Sequence, residues 1–289
     1  MRITGRTKLA GIMGWPVTHS RSPALHNFWI DEHGIDGAYV PLAVPPERLE
    51  QALRALPALG FRGCNLTLPH KQAALGIVDK LEPLARRIGA VNTIIVMPDG
   101  SLEGRNTDAF GFRENLRERA PDWTPSRGPA VVLGAGGGAR GVIAALIEAR
   151  VEEIRIVNRT LARAERVASD LAAPAARITA LPWNDIDPAL RDAGLLVNTT
   201  SLGMNGEPDL EIDLSPLPPA AVVADIVYVP LETPLLALAR QRGHRIVDGL
   251  GMLLHQGRPG FEAWFGSPVQ VTRELRAAIL TTLGAMGAR

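Results

Sequence analysis

Two hydrophobic patterns recur along the chain. Short apolar runs predict strands, and apolar residues spaced three and four apart predict helices. In the first part, strands are predicted at 9–14, 39–44, 63–69, 90–97 and 102–105, with helices at 23–33 and 47–56, one opening near Lys71 and one through Phe110, Phe112 and Leu116. Residues 121–129, PDWTPSRGP, interrupt this with proline and turn residues and mark a domain boundary. Beyond it the alternation is regular, with strands at 131–133, 154–157, 177–180, 195–198, 222–226 and 245–247 and helices between them, including 161–172 and 233–242. Strands joined by crossover helices predict a doubly wound parallel sheet. Two helices follow that sheet, one carrying Gln256 and one at 273–283 with apolar Leu275, Ile279, Leu280 and Leu283. Their apolar faces need another surface, so the chain is expected to cross back. The predicted fold is α/β with two domains, the second built on the doubly wound sheet.

The organising stretch of the second domain is PAVVLGAGGGARG. The apolar run 130–133 ends in Gly134, Ala135, Gly136, Gly137 and Gly138, and a helical pattern through Val142, Ile143, Leu146 and Ile147 follows. Strand, glycine turn and helix together suit a Rossmann-type dinucleotide site. Glycines let the backbone approach a pyrophosphate, and the helix N-terminus faces the anion. A tight turn without a ligand is the plainer alternative. The second strand ends in Asn158, Arg159 and Thr160, with Arg163 one helical turn on. No acidic residue stands there to hold the ribose hydroxyls of NAD. A guanidinium fork suits a 2′-phosphate, so NADP is favoured. The small and polar run 198–203 suits a loop beside the nicotinamide.

The first domain places polar residues at strand ends, where open α/β sheets keep ligand sites. Ser22 before Pro23 has the pattern of a helix cap. With Ser20, it also offers two hydroxyls beside a helix N-terminus, a setting for a carboxylate. If Cys64, Leu66 and Leu68 face the core, Asn65 and Thr67 face a cleft together. Lys71 at a helix start opposes the helix dipole unless an anion meets it; the plainer alternative is a surface lysine. Asn92 lies in the next strand. Asp108 suits a helix start or an active site equally.

Composition narrows the classes. The chain has 289 residues, of which 46% are hydrophobic, so a packed two-domain protein is expected. Thirty-one basic residues against 30 acidic ones give a net charge of +1, with no basic surface for nucleic acid. Cys64, the only cysteine, cannot form an internal disulfide or a cysteine-based zinc cluster. No apolar run reaches the ~20 residues of a membrane span. A cytoplasmic protein with no metal is expected.

At this point the chain resembles the shikimate dehydrogenase family over nearly its whole length. The matching segments are HSRSPALHN at 19–27, NLTLPHK at 65–71, GAVNT at 89–93, NTD at 106–108, GAGGGARG at 134–141, NRT at 158–160 and DGLGML at 248–253. The family reduces 3-dehydroshikimate to shikimate with NADPH, on the route to aromatic amino acids. The resemblance implies that 1–108 and 249–289 bind the substrate and that 109–248 bind NADP(H). It makes Lys71 and Asp108 the catalytic pair. It gives Ser20, Ser22 and Tyr228 to the substrate carboxylate and Asn65, Thr67, Asn92 and Gln256 to the ring hydroxyls. It gives Gly134 to Gly138, Ala135 included, to the diphosphate. Asn158, Arg159, Thr160 and Arg163 fall to the adenosine phosphate, and Ile226 and Gly249 to the nicotinamide. Core packing is the plainer alternative for Tyr228. Gly138 stands where alanine is common, which loosens the helix start. His70 is assigned to packing or solvent. The implied partner is a small molecule, and a homodimer is compatible. Two other functions stay open: a quinate/shikimate dehydrogenase with broader substrate or NAD use, and a non-catalytic NADP(H)-binding sensor.

Overall fold

A computed structural model describes residues 3–284, and the chain divides into two compact units. The first runs to Thr107 and resumes at Leu254; the second is Asp108–Leu253.

The first unit contains β1 (Lys8–Gly14), α1 (Ser22–Glu32), β2 (Gly37–Ala43), α2 (Leu49–Ala55), β3 (Phe61–Leu66), α3 (His70–Ala73), β4 (Lys80–Leu81), α4 (Pro83–Ile88), β5 (Thr93–Val96) and β6 (Leu102–Arg105). Its sheet has the order β2-β1-β3-β5-β6-β4. β2, β1 and β3 run parallel, whereas β5 is antiparallel to both β3 and β6. Asn65 therefore lies in the sheet interior, opposite Ile12 on one side and Thr93 on the other. Beneath it, Cys64 and Leu66 pack with Met13, Leu53, Val91 and Ile94. Gly63 has φ +147°, and a Cβ there would come 2.0 Å from the Ile94 carbonyl oxygen, so only glycine fits this close approach.

Two expectations are corrected. β3 ends at Leu66, so the strand alternation does not carry on to Leu68, which is 76% exposed. Ser22 does not cap α1 from outside: the helix begins at Ser22, and its backbone N–H donates to Ser20 Oγ at 3.2 Å. The start lies one residue earlier than Pro23 suggested, which leaves the Ser22 amide for a side chain to satisfy.

The second unit contains α5 (Asp108–Arg119), β7 (Ala130–Leu133), α6 (Gly137–Glu148), β8 (Glu153–Asn158), α7 (Leu161–Asp170), β9 (Arg177–Pro182), α8 (Ile186–Leu190), β10 (Leu195–Asn198), β11 (Val222–Asp225), α9 (Pro234–Gln241) and β12 (Arg245–Val247). The sheet order is β12-β11-β10-β7-β8-β9, and every pairing is parallel. Counted from β7, this is the 3-2-1-4-5-6 order of dinucleotide-binding folds, with its switch point between β7 and β10. The central strands β7, β10 and β11 are buried at every position because helices cover such sheets on both faces. α10 (Gly249–Phe265) leaves this unit at Leu253 and, with α11 (Arg273–Gly284), returns the chain to the first.

Candidate active site

The first unit holds a buried polar network. Asn65, 4% exposed, accepts from the Tyr39 hydroxyl at 2.7 Å and donates to the Asn92 carbonyl at 3.0 Å and to Thr93 Oγ1 at 3.1 Å. Thr93 Oγ1 donates in turn to Asn92 Oδ1 at 2.9 Å. The Thr107 backbone N–H donates to the same oxygen at 2.9 Å, and Thr107 Oγ1 lies 3.4 Å from Gln256 Oε1. Asn65, Asn92 and Gln256 thus come together from three distant stretches of sequence. Tyr39, Thr93 and Thr107 link them, and sequence reasoning missed all three. The signal for Thr107 was its place inside NTD; Tyr39 and Thr93 looked like ordinary strand residues. Burial raises the Tyr39 pKa well above its usual value, so the ring stays a neutral donor. His26 stacks on it with centroids 4.1 Å apart.

The remaining residues of this unit gather at the ends of β1 and β3. Thr67 is half-buried, with its N–H donating to the Met13 carbonyl at 3.0 Å. Lys71 is half-buried on α3, and its carbonyl accepts from the Val91 N–H at 2.7 Å. Ser22 is buried and Ser20 half-buried. His70 turns inward, with Nε2 2.8 Å from the Val44 carbonyl, as a packing residue. Asp108 is buried at the first position of α5, in the second unit.

In the second unit the glycine run straddles the start of α6. Gly134 has φ +105°, and a Cβ there would lie 2.9 Å from Thr199 Oγ1. Gly136 and Gly137 are exposed, with no atom within 4 Å of where a Cβ would sit. An open glycine surface at the N-terminus of a 12-residue helix fits a diphosphate. Gly138 faces Ile226, whose Cδ1 lies 2.5 Å from a Cβ built there. Gly249 packs against the Ile226 carbonyl, at 2.4 Å on the same measure. Gly138, Ile226 and Gly249 thereby form one group, and Gly134 joins it through Thr199, which also borders Gly138, with half-buried Ala135 in the turn. At the end of β8, Asn158 Nδ2 donates to the Thr160 carbonyl at 2.8 Å. Arg159, Thr160 and Arg163 are exposed. Among the described residues, neither arginine has an ion-pair partner. Tyr228 is half-buried in the loop after β11.

Below these loops, Asp225 is 2% exposed. Its oxygens accept from the Val227 N–H at 2.9 Å, the Thr233 hydroxyl at 2.7 Å and Asn198 Nδ2 at 3.1 Å. Asn198 Oδ1 accepts from the Thr200 N–H and hydroxyl at 3.0 and 2.7 Å, which folds the loop after β10. Burial pushes the Asp225 pKa up to about 6. Among the described residues no group of three His, Cys, Asp or Glu is placed to hold a metal, and no helix is long and apolar enough to cross a membrane.

The doubly wound sheet, the glycine turn at its switch point and a second α/β unit rich in buried amides define a nucleotide-dependent enzyme class with a separate substrate unit. Residues 12–94 match the model of the shikimate dehydrogenase substrate binding domain, and residues 119–204 match that of shikimate/quinate 5-dehydrogenase. The chain belongs to the shikimate dehydrogenase family. It is 61% identical to the shikimate dehydrogenase (NADP(+)) of Rhodospirillum rubrum over 96% of this chain and 99% of that one. The shikimate 5-dehydrogenase of Thermus thermophilus, solved with NADP(H) and shikimate, superposes with a TM-score of 0.82 at 36% identity, covering 96% of this chain and 99% of that one. A quinate dehydrogenase of Corynebacterium glutamicum, solved with NAD, gives a TM-score of 0.88 at 30% identity, covering 95% and 99%.

Proposed function

We propose that this chain catalyses the reversible NADP(H)-dependent interconversion of 3-dehydroshikimate and shikimate. The substrate comes from the near full-length likeness to relatives of that name. The observation that carries the cofactor is the end of β8. Arg159 and Arg163 stand there exposed and unpaired, where NAD enzymes of this fold place an acidic residue.

Bound NADPH supplies the hydride that reduces the ketone carbon. The Lys71 ammonium meets the charge developing on the ketone oxygen and gives it a proton. Asp108 orients the reacting hydroxyl and the ammonium. In the reverse direction Lys71 takes the hydroxyl proton back. Asn65, Asn92 and Gln256 fix the ring through its hydroxyls, with Thr67 beside them, and their shared network holds the amides in place before substrate arrives. Ser20, Ser22 and Tyr228 hold the carboxylate. Gly134, Ala135, Gly136, Gly137 and Gly138 cradle the diphosphate. Asn158, Arg159, Thr160 and Arg163 hold the 2′-phosphate, while Ile226 and Gly249 shape the nicotinamide pocket. The first unit is the substrate domain and the second the cofactor domain. A cytoplasmic homodimer with no nucleic-acid partner completes the proposal.

The test offers shikimate or quinate with NADP⁺ or NAD⁺ to purified protein and follows reduced nicotinamide by absorbance. Fast turnover with shikimate and NADP⁺ alone is expected. Comparable rates with quinate or NAD⁺ replace the proposal with the broader dehydrogenase, and binding without turnover replaces it with a sensor.

A further inference from the structure

The hydrogen bonds around Asp225 all come from neutral groups: Asn198 of β10, the Val227 amide and the Thr233 hydroxyl at the head of α9. Among the described residues, no charged side chain is paired with it. A buried carboxylate without a cation is expensive, and an asparagine of the same shape would avoid that cost. Its place in the fold suggests what the charge serves. Asp225 pairs in register with Asn198 across β11 and β10. The next residue on β11's side, Ile226, faces Gly138 and Gly249; the next on β10's side, Thr199, faces Gly134. The carboxylate therefore stands one residue behind the groups that line the glycine turn.

We propose that Asp225 supplies a fixed negative charge that favours the oxidised form of the nicotinamide cofactor over the reduced form. This rests on the NADP(H) reading above. The nicotinamide ring is cationic when oxidised and neutral when reduced, so a nearby fixed charge acts on the two forms unequally. In a poorly solvated interior that difference is not screened away. The hydrogen bonds to Asp225 keep the carboxylate ionised near neutrality despite its burial.

The test measures Kd for NADP⁺ and for NADPH separately, by calorimetry, in the wild type, Asp225→Asn and Thr233→Val. Adenosine and its phosphates are common to both forms and cancel in the ratio of the two constants. Asp225→Asn is expected to weaken NADP⁺ on the order of three- to tenfold more than NADPH. Thr233→Val loses one hydrogen bond that holds the Asp225 pKa down, so all three proteins are compared at pH 8.5, where the carboxylate of Thr233→Val keeps its charge and the ratio should be unchanged. An unaltered ratio in Asp225→Asn overturns the proposal, as does an equal change in both variants. If Asp225→Asn does not fold, the wild-type ratio is followed from pH 8 to pH 5.5. It should shift toward NADPH as the carboxylate takes up its proton, and a flat ratio overturns the proposal. Failure of the wild type to bind either nucleotide overturns the NADP(H) reading and this inference with it.

Discussion

The Tyr39 hydroxyl donates to Asn65 Oδ1 at 2.7 Å inside the first unit, where both residues are buried. Asn65 spends its amide hydrogens on Asn92 and Thr93, so the bond from Tyr39 fixes which way its oxygen points. Tyr39→Phe removes that donor and leaves a buried acceptor under-satisfied, at a cost of about 1–3 kcal/mol in chemical denaturation. KM for shikimate should rise while the Kd for NADPH holds. An unchanged KM would show that Asn65 is held well enough by its other two partners.

Lys71→Ala removes the proposed proton donor and changes no residue of the second unit. Turnover should fall by roughly 10²- to 10⁴-fold, with NADPH affinity nearly intact. Near-normal turnover in steady-state kinetics would remove Lys71 from the chemistry.

Arg159→Asp places a carboxylate where the unpaired guanidinium now stands. The carboxylate repels a 2′-phosphate and suits a ribose hydroxyl, so the preference for NADP⁺ over NAD⁺ should collapse. Equal use of both cofactors by the unmutated protein would refute the phosphate grip.

The doubly wound sheet was legible because its signals are local: apolar runs, a glycine turn and proline punctuation. β6, β10 and β12 occupy the predicted residues 102–105, 195–198 and 245–247. β4 has only two residues, too few to show any periodicity, and it went unseen. Leu68 was misplaced because alternation does not announce where a strand stops. Tyr39 and Thr93 escaped for a different reason. Thr93 reaches Asn65 through an antiparallel pairing, and Tyr39 reaches it from β2 across the intervening strand β1. Register across strands is a tertiary property that no single segment encodes. The site residues that were legible carry unusual chemistry for their position, such as Lys71 at a helix start or arginines where an acid is expected.

Acid should act on two buried groups, His26 and Asp225, in opposite senses. His26 is fully buried, and burial pushes its pKa down to about 3 from 6.5. The unfolded chain takes up this proton at higher pH than the folded one, so stability is lost as pH falls from 6.5 toward 3. The full span is worth on the order of 5 kcal/mol. Asp225 has the reverse sign, because its folded pKa of about 6 lies above the ordinary 3.8. Its contribution is present below 3.8 and is lost as pH rises through about 6, a span on the order of 3 kcal/mol. His26→Phe keeps an aromatic ring on Tyr39 and removes the first titration. Urea unfolding between pH 6.5 and 4 should then show a shallower loss of stability than in the wild type. Asp225→Asn should show a steeper one. If His26→Phe followed the wild-type curve, His26 would have to take up its proton equally in the folded and unfolded chains, and the aromatic packing around it would have to admit a charge.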